Sequence, residues 1–233
     1  MSVAIFSTDG LLFVLRWLHI FFGIVWIGHL YYFNFVQGAF FAETDAATKS
    51  NAIQKLVPRA LWWFRWGAMF TLITGIIILT GLFHQNPNFV DTARGVIILT
   101  GGLMAILMWF NVWFVIWPAQ KVVIQNAVDT AAGKPANPDA AARGARAAVA
   151  SRTNVLFSIP MVFFMSASTH LPIAMNPEAG LTTYWVVMLG LIGLLQLNAL
   201  KGKTGPMTTV KGVIHMGFVL TILQYIFLEV LTK

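Results

Sequence analysis

The sequence predicts an all-α protein, a polytopic bundle of about six transmembrane helices that forms one membrane domain over residues 1–233. Its composition is the first reason, because 58% of the residues are apolar and only 10% are charged, against about 25% charged in ordinary soluble domains. The second reason is the length of the apolar runs, and the third is the position of the basic residues between them.

The apolar runs set the boundaries of the helices. A spanning helix needs roughly 20 mainly apolar residues, and six stretches qualify, at about 11–41, 60–83, 96–117, 138–173, 181–200 and 209–231. In the fourth stretch, Asn137-Pro138-Asp139 is typical of an N-cap, a first-turn proline and a first-turn acid, which indicates a cytoplasmic extension of that helix. Pro160 is predicted to kink the same helix, because proline removes a backbone donor and clashes with the preceding turn.

The distribution of charge predicts the topology and excludes one class of partner. The net charge is +7, but Lys and Arg collect in the loops after the first, third and fifth spans, as they do in cytoplasmic loops of membrane proteins. We therefore expect both termini in the periplasm, a multi-pass protein of the bacterial inner membrane and no nucleic-acid partner. The basic positions are Lys49, Lys55, Arg59, Lys121, Lys134, Arg143, Arg146, Arg152, Lys201, Lys203 and Lys211.

Missing residue types and motifs exclude several kinds of chemistry. The chain has no Cys, which excludes disulfides, thiolate metal sites, iron–sulfur clusters and covalent c-type haem. It also has no H-E-x-x-H, GxGxxG or P-loop pattern. Glu229, near a terminus, is the one intramembrane carboxylate, which disfavours a transporter built on buried acids.

The histidines are the main candidates for a functional site. Four of the five, His19, His29, His170 and His215, lie inside predicted spans, where an ionisable residue is by default a functional hypothesis. With alternating helix directions, His19 and His170 fall in the periplasmic half, and His29 and His215 lie nearer the cytoplasm. Neutral imidazole is a good axial ligand for haem iron, so the sequence predicts one or two non-covalent haem b groups, one for each pair.

Small and basic neighbours support the site at His19 and His170. A porphyrin that lies against a helix needs small residues beside it, and Gly23 is four residues after His19 while Ser166 is four before His170. Arg16 lies three residues before His19 on the same helical face, where it can pair with a haem propionate. Packing histidines and an arginine that snorkels to the interface are the alternative interpretations.

Several tryptophan-rich motifs are similar to those of a known family. They span most of the chain and resemble the membrane domain of bacterial membrane-bound urate oxidase, which implies a membrane oxidoreductase that oxidises urate. The motifs are Arg16-Trp17-Leu18-His19, Trp26-Ile27-Gly28, Pro58-Arg59-Ala60-Leu61-Trp62-Trp63-Phe64-Arg65-Trp66-Gly67, Asn111-Val112-Trp113, Ile116-Trp117-Pro118, Ala150-Ser151-Arg152-Thr153-Asn154 and Ser158-Ile159-Pro160-Met161.

The resemblance also has implications for partners and substrate contacts. In that family the membrane domain is usually followed by a cytochrome c domain that receives the electrons. This chain stops at Lys233, so the resemblance implies that a separate cytochrome or another membrane subunit takes that role. Arg59, Arg65 and Arg152 could meet an anionic purine, although positive-inside topology explains them equally well.

Two other functions stay open at this point. The chain can be a non-catalytic accessory subunit of a larger respiratory or oxygenase complex, with its tryptophan-rich helices as the interface, and a homo-oligomer is compatible with the sequence. Copper handling ranks last. The first helix is also similar to haem-binding protoporphyrinogen oxidases and to copper-resistance membrane proteins, which supports haem b or copper chemistry. Methionine thioethers suit Cu(I). However, the ten methionines are scattered without Met-x-x-Met clusters, which disfavours a copper site.

Overall fold

The computed structural model describes residues 3–176 and 180–233, and within these ranges the chain is helical with no strand. The predicted all-α class is therefore confirmed. The helices are α1 (Thr8–Glu43), α2 (Ala46–Lys55), α3 (Val57–Gln85), α4 (Ala93–Ala131), α5 (Ala140–His170), α6 (Leu181–Lys201) and α7 (Val210–Leu231), with short 3₁₀ turns at Ala4–Phe6, Phe89–Asp91 and Gly205–Thr208.

All of these helices except α2 are long and apolar enough to cross a membrane. This confirms the prediction of about six spans, and the chain is a multi-pass membrane protein. Most of the basic residues lie on the side of the bundle where α1, α4 and α6 end and α3, α5 and α7 begin, including α2 and the connecting loops. We call this side of the bundle the basic end. The orientation of the basic end towards the cytoplasm stays a prediction.

The third span is longer than the sequence indicated. Its predicted end was 117, yet α4 continues through Pro118 to Ala131. A π-helical segment, Asn111–Ile116, lies immediately before this proline. In a regular helix, the ring of Pro118 would clash with the carbonyl four residues earlier. The wider π turn lies at that position, so the helix continues beyond the apolar run.

The fourth span is shorter than predicted at both ends. At its start, the Asn137 side chain accepts a hydrogen bond from the Asp139 backbone at 2.9 Å, so these residues form a turn and α5 begins only at Ala140. At its end, Leu171 is extended with φ −108° and ψ 118°, because a residue before proline, here Pro172, is disfavoured in the helical region. The helix continues through Pro160; the kink there stays a prediction.

The short helix α2 was not predicted, because its composition is polar. It begins at an Asp45 N-cap whose side chain accepts hydrogen bonds from the backbone of Ala47 and Thr48, both at 2.9 Å, and from the Thr48 hydroxyl at 2.6 Å. These bonds, chiefly the one from the Thr48 hydroxyl, lower the pKa of the Asp45 carboxyl. The capping interaction fixes the direction in which the chain returns to the bundle.

Helix α5 is the centre of the bundle. It contacts α1, α4, α6 and α7, and 61% of its most apolar stretch is buried, against 11% for α1. Helix α1 packs mainly on α3, where Gly67 allows close approach: a Cβ there would lie 3.1 Å from the Trp26 backbone nitrogen. The α1–α3 pair is thus a peripheral unit that packs against a core built around α5.

Three buried amides connect α4, α5 and α6. The Asn111 side chain donates to Asn154 at 2.9 Å and to Gln196 at 3.0 Å, and Gln196 donates back to Asn111 at 2.7 Å. Asn154 also donates to the Met108 carbonyl at 2.9 Å. We call Asn111, Asn154 and Gln196 the amide cluster. Its members satisfy one another's hydrogen-bonding groups in a region without water, so the cluster fixes the register of three helices.

Two further bonds attach α1 to the same face of α5. The Asn34 amide donates to the Ser151 hydroxyl at 2.8 Å, and the Tyr31 and Ser158 hydroxyls are 2.9 Å apart. Asn34 lies within a second π-helical segment, Tyr32–Gln37. Both π segments therefore place a buried asparagine against α5 at the level of the amide cluster.

Replacement of Asn154 by alanine is expected to lower the free energy of unfolding by about 1–3 kcal/mol, because the Met108 carbonyl loses its partner and the Asn111 amide loses an acceptor. Thermal unfolding of the detergent-purified protein measures this. Asn51→Ala is the matched control, since Asn51 is exposed and donates only to a carbonyl of its own helix. Equal effects of both substitutions would contradict a structural role for the cluster.

Candidate functional site

A cavity of about 510 Å³ lies at the basic end, between the end of α1, α2, the beginning of α3, the extended part of α4 and the beginning of α5. This volume is within the range of roughly 300–1,000 Å³ that is usual for small-molecule sites. Its lining residues are Phe33, Asn34, Gln37, Gly38, Phe41, Lys49, Ile53, Val57, Leu61, Phe64, Ile116, Gln120, Val123, Gly144, Ala147, Ala148, Ser151 and Arg152.

Two polar atoms on residues that line this cavity are buried without a hydrogen-bond partner in the described part of the chain. They are Nη1 of Arg152, on α5, and Oε1 of Gln37, at the end of the π segment of α1. A buried polar group without a partner costs roughly 1–3 kcal/mol, and more if it is charged. A guanidinium donor and a carbonyl acceptor in one cavity are together complementary to a ligand that offers both an anionic oxygen and an N–H group.

Three phenylalanines, Phe33, Phe41 and Phe64, contribute aromatic rings to the wall. The rings of Phe33 on α1 and Phe64 on α3 pack edge to face, with centroids 5.5 Å apart. The Lys49 ammonium lies 5.9 Å from the ring centre of Phe41. Flat apolar walls with a few polar groups favour a planar, heteroaromatic ligand. Lys49, Arg152 and the absence of any acidic residue from the lining make the cavity positive, so an anion is favoured over a cation.

The structure separates the three arginines that the sequence grouped as contacts for an anion. Arg152 lines the cavity. Arg59 is exposed at the start of α3, and the Arg65 guanidinium lies 3.9 Å from the ring centre of Trp117, on a neighbouring face of α3. Sequence reasoning missed Gln37 and Asn34, although two amides within an otherwise apolar span were a usable signal.

His19 lies in the interface between α1 and α3. Its Nδ1 is 3.1 Å from the Thr74 hydroxyl, whose own proton points to the Phe70 carbonyl at 2.7 Å. In this arrangement the hydroxyl oxygen accepts from His19 Nδ1, and the neutral ring keeps a free lone pair on Nε2. Gly75 makes room for the ring, because a Cβ there would lie 3.0 Å from His19 Cε1.

His29 and His215 have the same tautomer for a simpler reason. Nδ1 of His29 is 2.7 Å from the Val25 carbonyl, and Nδ1 of His215 is 2.6 Å from the Lys211 carbonyl. Carbonyls only accept, so both rings donate from Nδ1 and leave Nε2 free. An imidazole held through Nδ1 with Nε2 free has the arrangement that metal-ligating histidines usually show.

The remaining predicted site residues are more peripheral. His170, the last residue of α5, is exposed, and so are His215, Arg16 and Ser166. Gly23 is half-buried, and a Cβ at its position would meet no other group within 4 Å. Within residues 3–176 and 180–233, no group of three or more His, Cys, Asp or Glu could hold a metal ion. The pairing of His19 with His170, and of His29 with His215, stays a prediction.

The fold and these features define a class: a multi-pass helical membrane protein with a positively charged, aromatic-walled cavity at its basic end. The family can be named more narrowly. Residues 88–225, more than half of the chain, match the family described as urate oxidase N-terminal, and the chain belongs to that family. The matched region contains α4, α5, α6 and most of α7. No curated protein and no solved structure matches the chain.

Thr74→Val is expected to abolish the hydrogen bond that holds the His19 imidazole, while the helix content stays unchanged. Solid-state ¹⁵N NMR of the histidine-labelled protein reads this as the loss of a fixed Nδ1–H signal for His19. Thr80→Val is the control, because the exposed Thr80 hydroxyl donates only to its own helix at the Ile76 carbonyl. An unchanged His19 signal in Thr74→Val would contradict the role of Thr74 as the partner that fixes Nδ1–H.

Proposed function

We propose that this chain is the membrane part of an oxidoreductase of the urate oxidase type, and that it takes urate or a closely related planar anion into the cavity at the basic end. The observation that carries the proposal is the pair of unsatisfied atoms on cavity-lining residues, Arg152 Nη1 and Gln37 Oε1, in a chain that belongs to the urate oxidase N-terminal family. The localisation that goes with this proposal is the bacterial inner membrane.

The chemistry of urate matches the lining of the cavity. At neutral pH urate is a planar monoanion with several carbonyl oxygens and ring N–H groups along its edges. A guanidinium donates a charge-assisted hydrogen bond to an anionic oxygen, and the Gln37 carbonyl accepts from a ring N–H. The rings of Phe33 and Phe64 then cover apolar faces of the ligand and exclude water from these bonds.

Haem b is the proposed redox cofactor, and the residues at His19 fit such a group. The His19 ring is held through Nδ1 at a helix interface, its Nε2 lone pair is free, and the next helical turn presents open space at Gly23. His19 and His170 would hold the haem iron, and Arg16 would pair with a propionate. The bound iron would supply one-electron acceptance, and a separate cytochrome or other membrane subunit is the proposed recipient of the electrons.

Arg152→Gln is expected to weaken the binding of urate by roughly 10- to 150-fold, the equivalent of losing a charged hydrogen bond of about 1.5–3 kcal/mol. Equilibrium dialysis with labelled urate and the detergent-purified protein measures the affinity. Arg59→Gln is the matched control, because Arg59 is an exposed arginine at the same end. Wild-type protein that binds no urate would overturn the proposal and favour the accessory-subunit function.

The haem proposal has its own measurement. Purified protein is expected to give a b-type reduced-minus-oxidised spectrum and a pyridine haemochrome of the same type, and His19→Ala is expected to lose most of that haem. His84→Ala serves as the control, since His84 is exposed at the end of α3. Protein with neither iron nor a Soret band would overturn the haem assignment while leaving the urate-binding measurement to stand on its own.

A further inference from the structure

A second cationic site lies outside the cavity, on the face where α3 meets α4. The Arg65 guanidinium is 3.9 Å from the ring centre of Trp117, and the Lys121 ammonium is 5.7 Å from the same ring. Arg65 is also 5.1 Å from the ring centre of Trp113. We call Arg65, Trp113, Trp117 and Lys121 the α3–α4 cation cluster. None of the four lines the cavity.

The cluster has donors and positive charge but no acid to match them. In the described residues, ion pairs join only Lys134 to Asp129 and Lys233 to Glu229. In addition, Nε of Arg65 and Nε1 of Trp113 are buried and have no acceptor in the described part of the chain. Two cations beside one indole, with no acidic side chain paired to them in the described residues, favour an anionic ligand.

The surroundings of the cluster point to the bilayer as the source of that anion. Trp66 links the cluster to Trp62 through ring contacts of 5.6 and 6.3 Å, and Trp62, Trp63 and Phe114 are exposed by 47%, 54% and 59%. These rings form an apolar surface of a membrane span, next to the basic end. A headgroup phosphate beside Arg65 and Lys121 would leave its acyl chains against this apolar surface.

We propose that the α3–α4 cation cluster binds the phosphate of an anionic phospholipid. The phosphate pairs with the positive charges of the Arg65 guanidinium and the Lys121 ammonium, which lie beside the same Trp117 ring. The lipid then bridges α3 and α4, two helices that make few direct contacts with each other. It thereby ties the peripheral α1–α3 pair to the core at the level where the cavity opens between them.

The experiment is native mass spectrometry of the full chain in detergent, titrated with phosphatidylglycerol or with phosphatidylcholine of the same acyl chains. Wild-type protein is expected to prefer phosphatidylglycerol. At about 1 kcal/mol for each basic residue, Lys121→Gln should weaken phosphatidylglycerol binding about fivefold and Arg65→Gln with Lys121→Gln about 25-fold. Phosphatidylcholine, whose headgroup carries no net charge, should lose less affinity than phosphatidylglycerol. The control pair is Lys55→Gln with Arg59→Gln, two exposed cations of the same end, which should leave both affinities unchanged.

Several results would overturn the proposal. Equal binding of the two lipids to wild-type protein would remove the anion preference. An equal loss of phosphatidylglycerol affinity in the control variant Lys55→Gln with Arg59→Gln would show that the lipid preference comes from the overall charge of the basic end. If inorganic phosphate alone displaced the lipid, the ligand of the α3–α4 cation cluster would be a free anion and not a phospholipid. The single substitution at the exposed Lys121 keeps the test decisive if the double variant does not fold.

Discussion

The arrangement of this protein depends on hydrogen bonds that side chains of α5 make to its neighbours. Helix α5 presents Ser151, Asn154 and Ser158 along one buried face, and partners on α1 and α4 bind to them at 2.8–2.9 Å. In a membrane, apolar burial does not distinguish one helix neighbour from another, because lipid tails are equally apolar. Polar pairs therefore set which helices meet and at what height, and the apolar packing follows.

The two π-helical segments belong to the same constraint. A π turn inserts one residue and shifts the side chains after it, and here each segment carries an asparagine that reaches α5. On α1 this segment also contains Gln37, which lines the cavity together with Asn34. On α4 the corresponding segment lets the helix continue past Pro118, and the extension supplies Gln120 and Val123 to the cavity wall.

Hydropathy alone predicted the six spans, because runs of about 20 apolar residues are rare outside membrane-spanning helices. It did not predict the end of α4, since the residues after Pro118 are polar enough for a loop and are helical through packing on α2 and α5. The cavity was beyond sequence reasoning for a different reason: Gln37 and Arg152 come to line one cavity only through the tertiary fold. The histidines were found as outliers in apolar spans, but the partner of His19, Thr74, lies on another helix and has no local signal.

The unpaired Arg152 couples ligand supply to the lifetime of the folded chain. Without a ligand, a buried guanidinium nitrogen and the Gln37 carbonyl are both unsatisfied, so the native state bears an energetic penalty that the proposed anionic ligand would remove. A ligand that binds only the native state shifts the folding equilibrium by mass action, by about 2.7 kcal/mol at a hundred times its dissociation constant. The amount of this protein that survives quality control in the membrane would then rise and fall with the concentration of the anion that it binds.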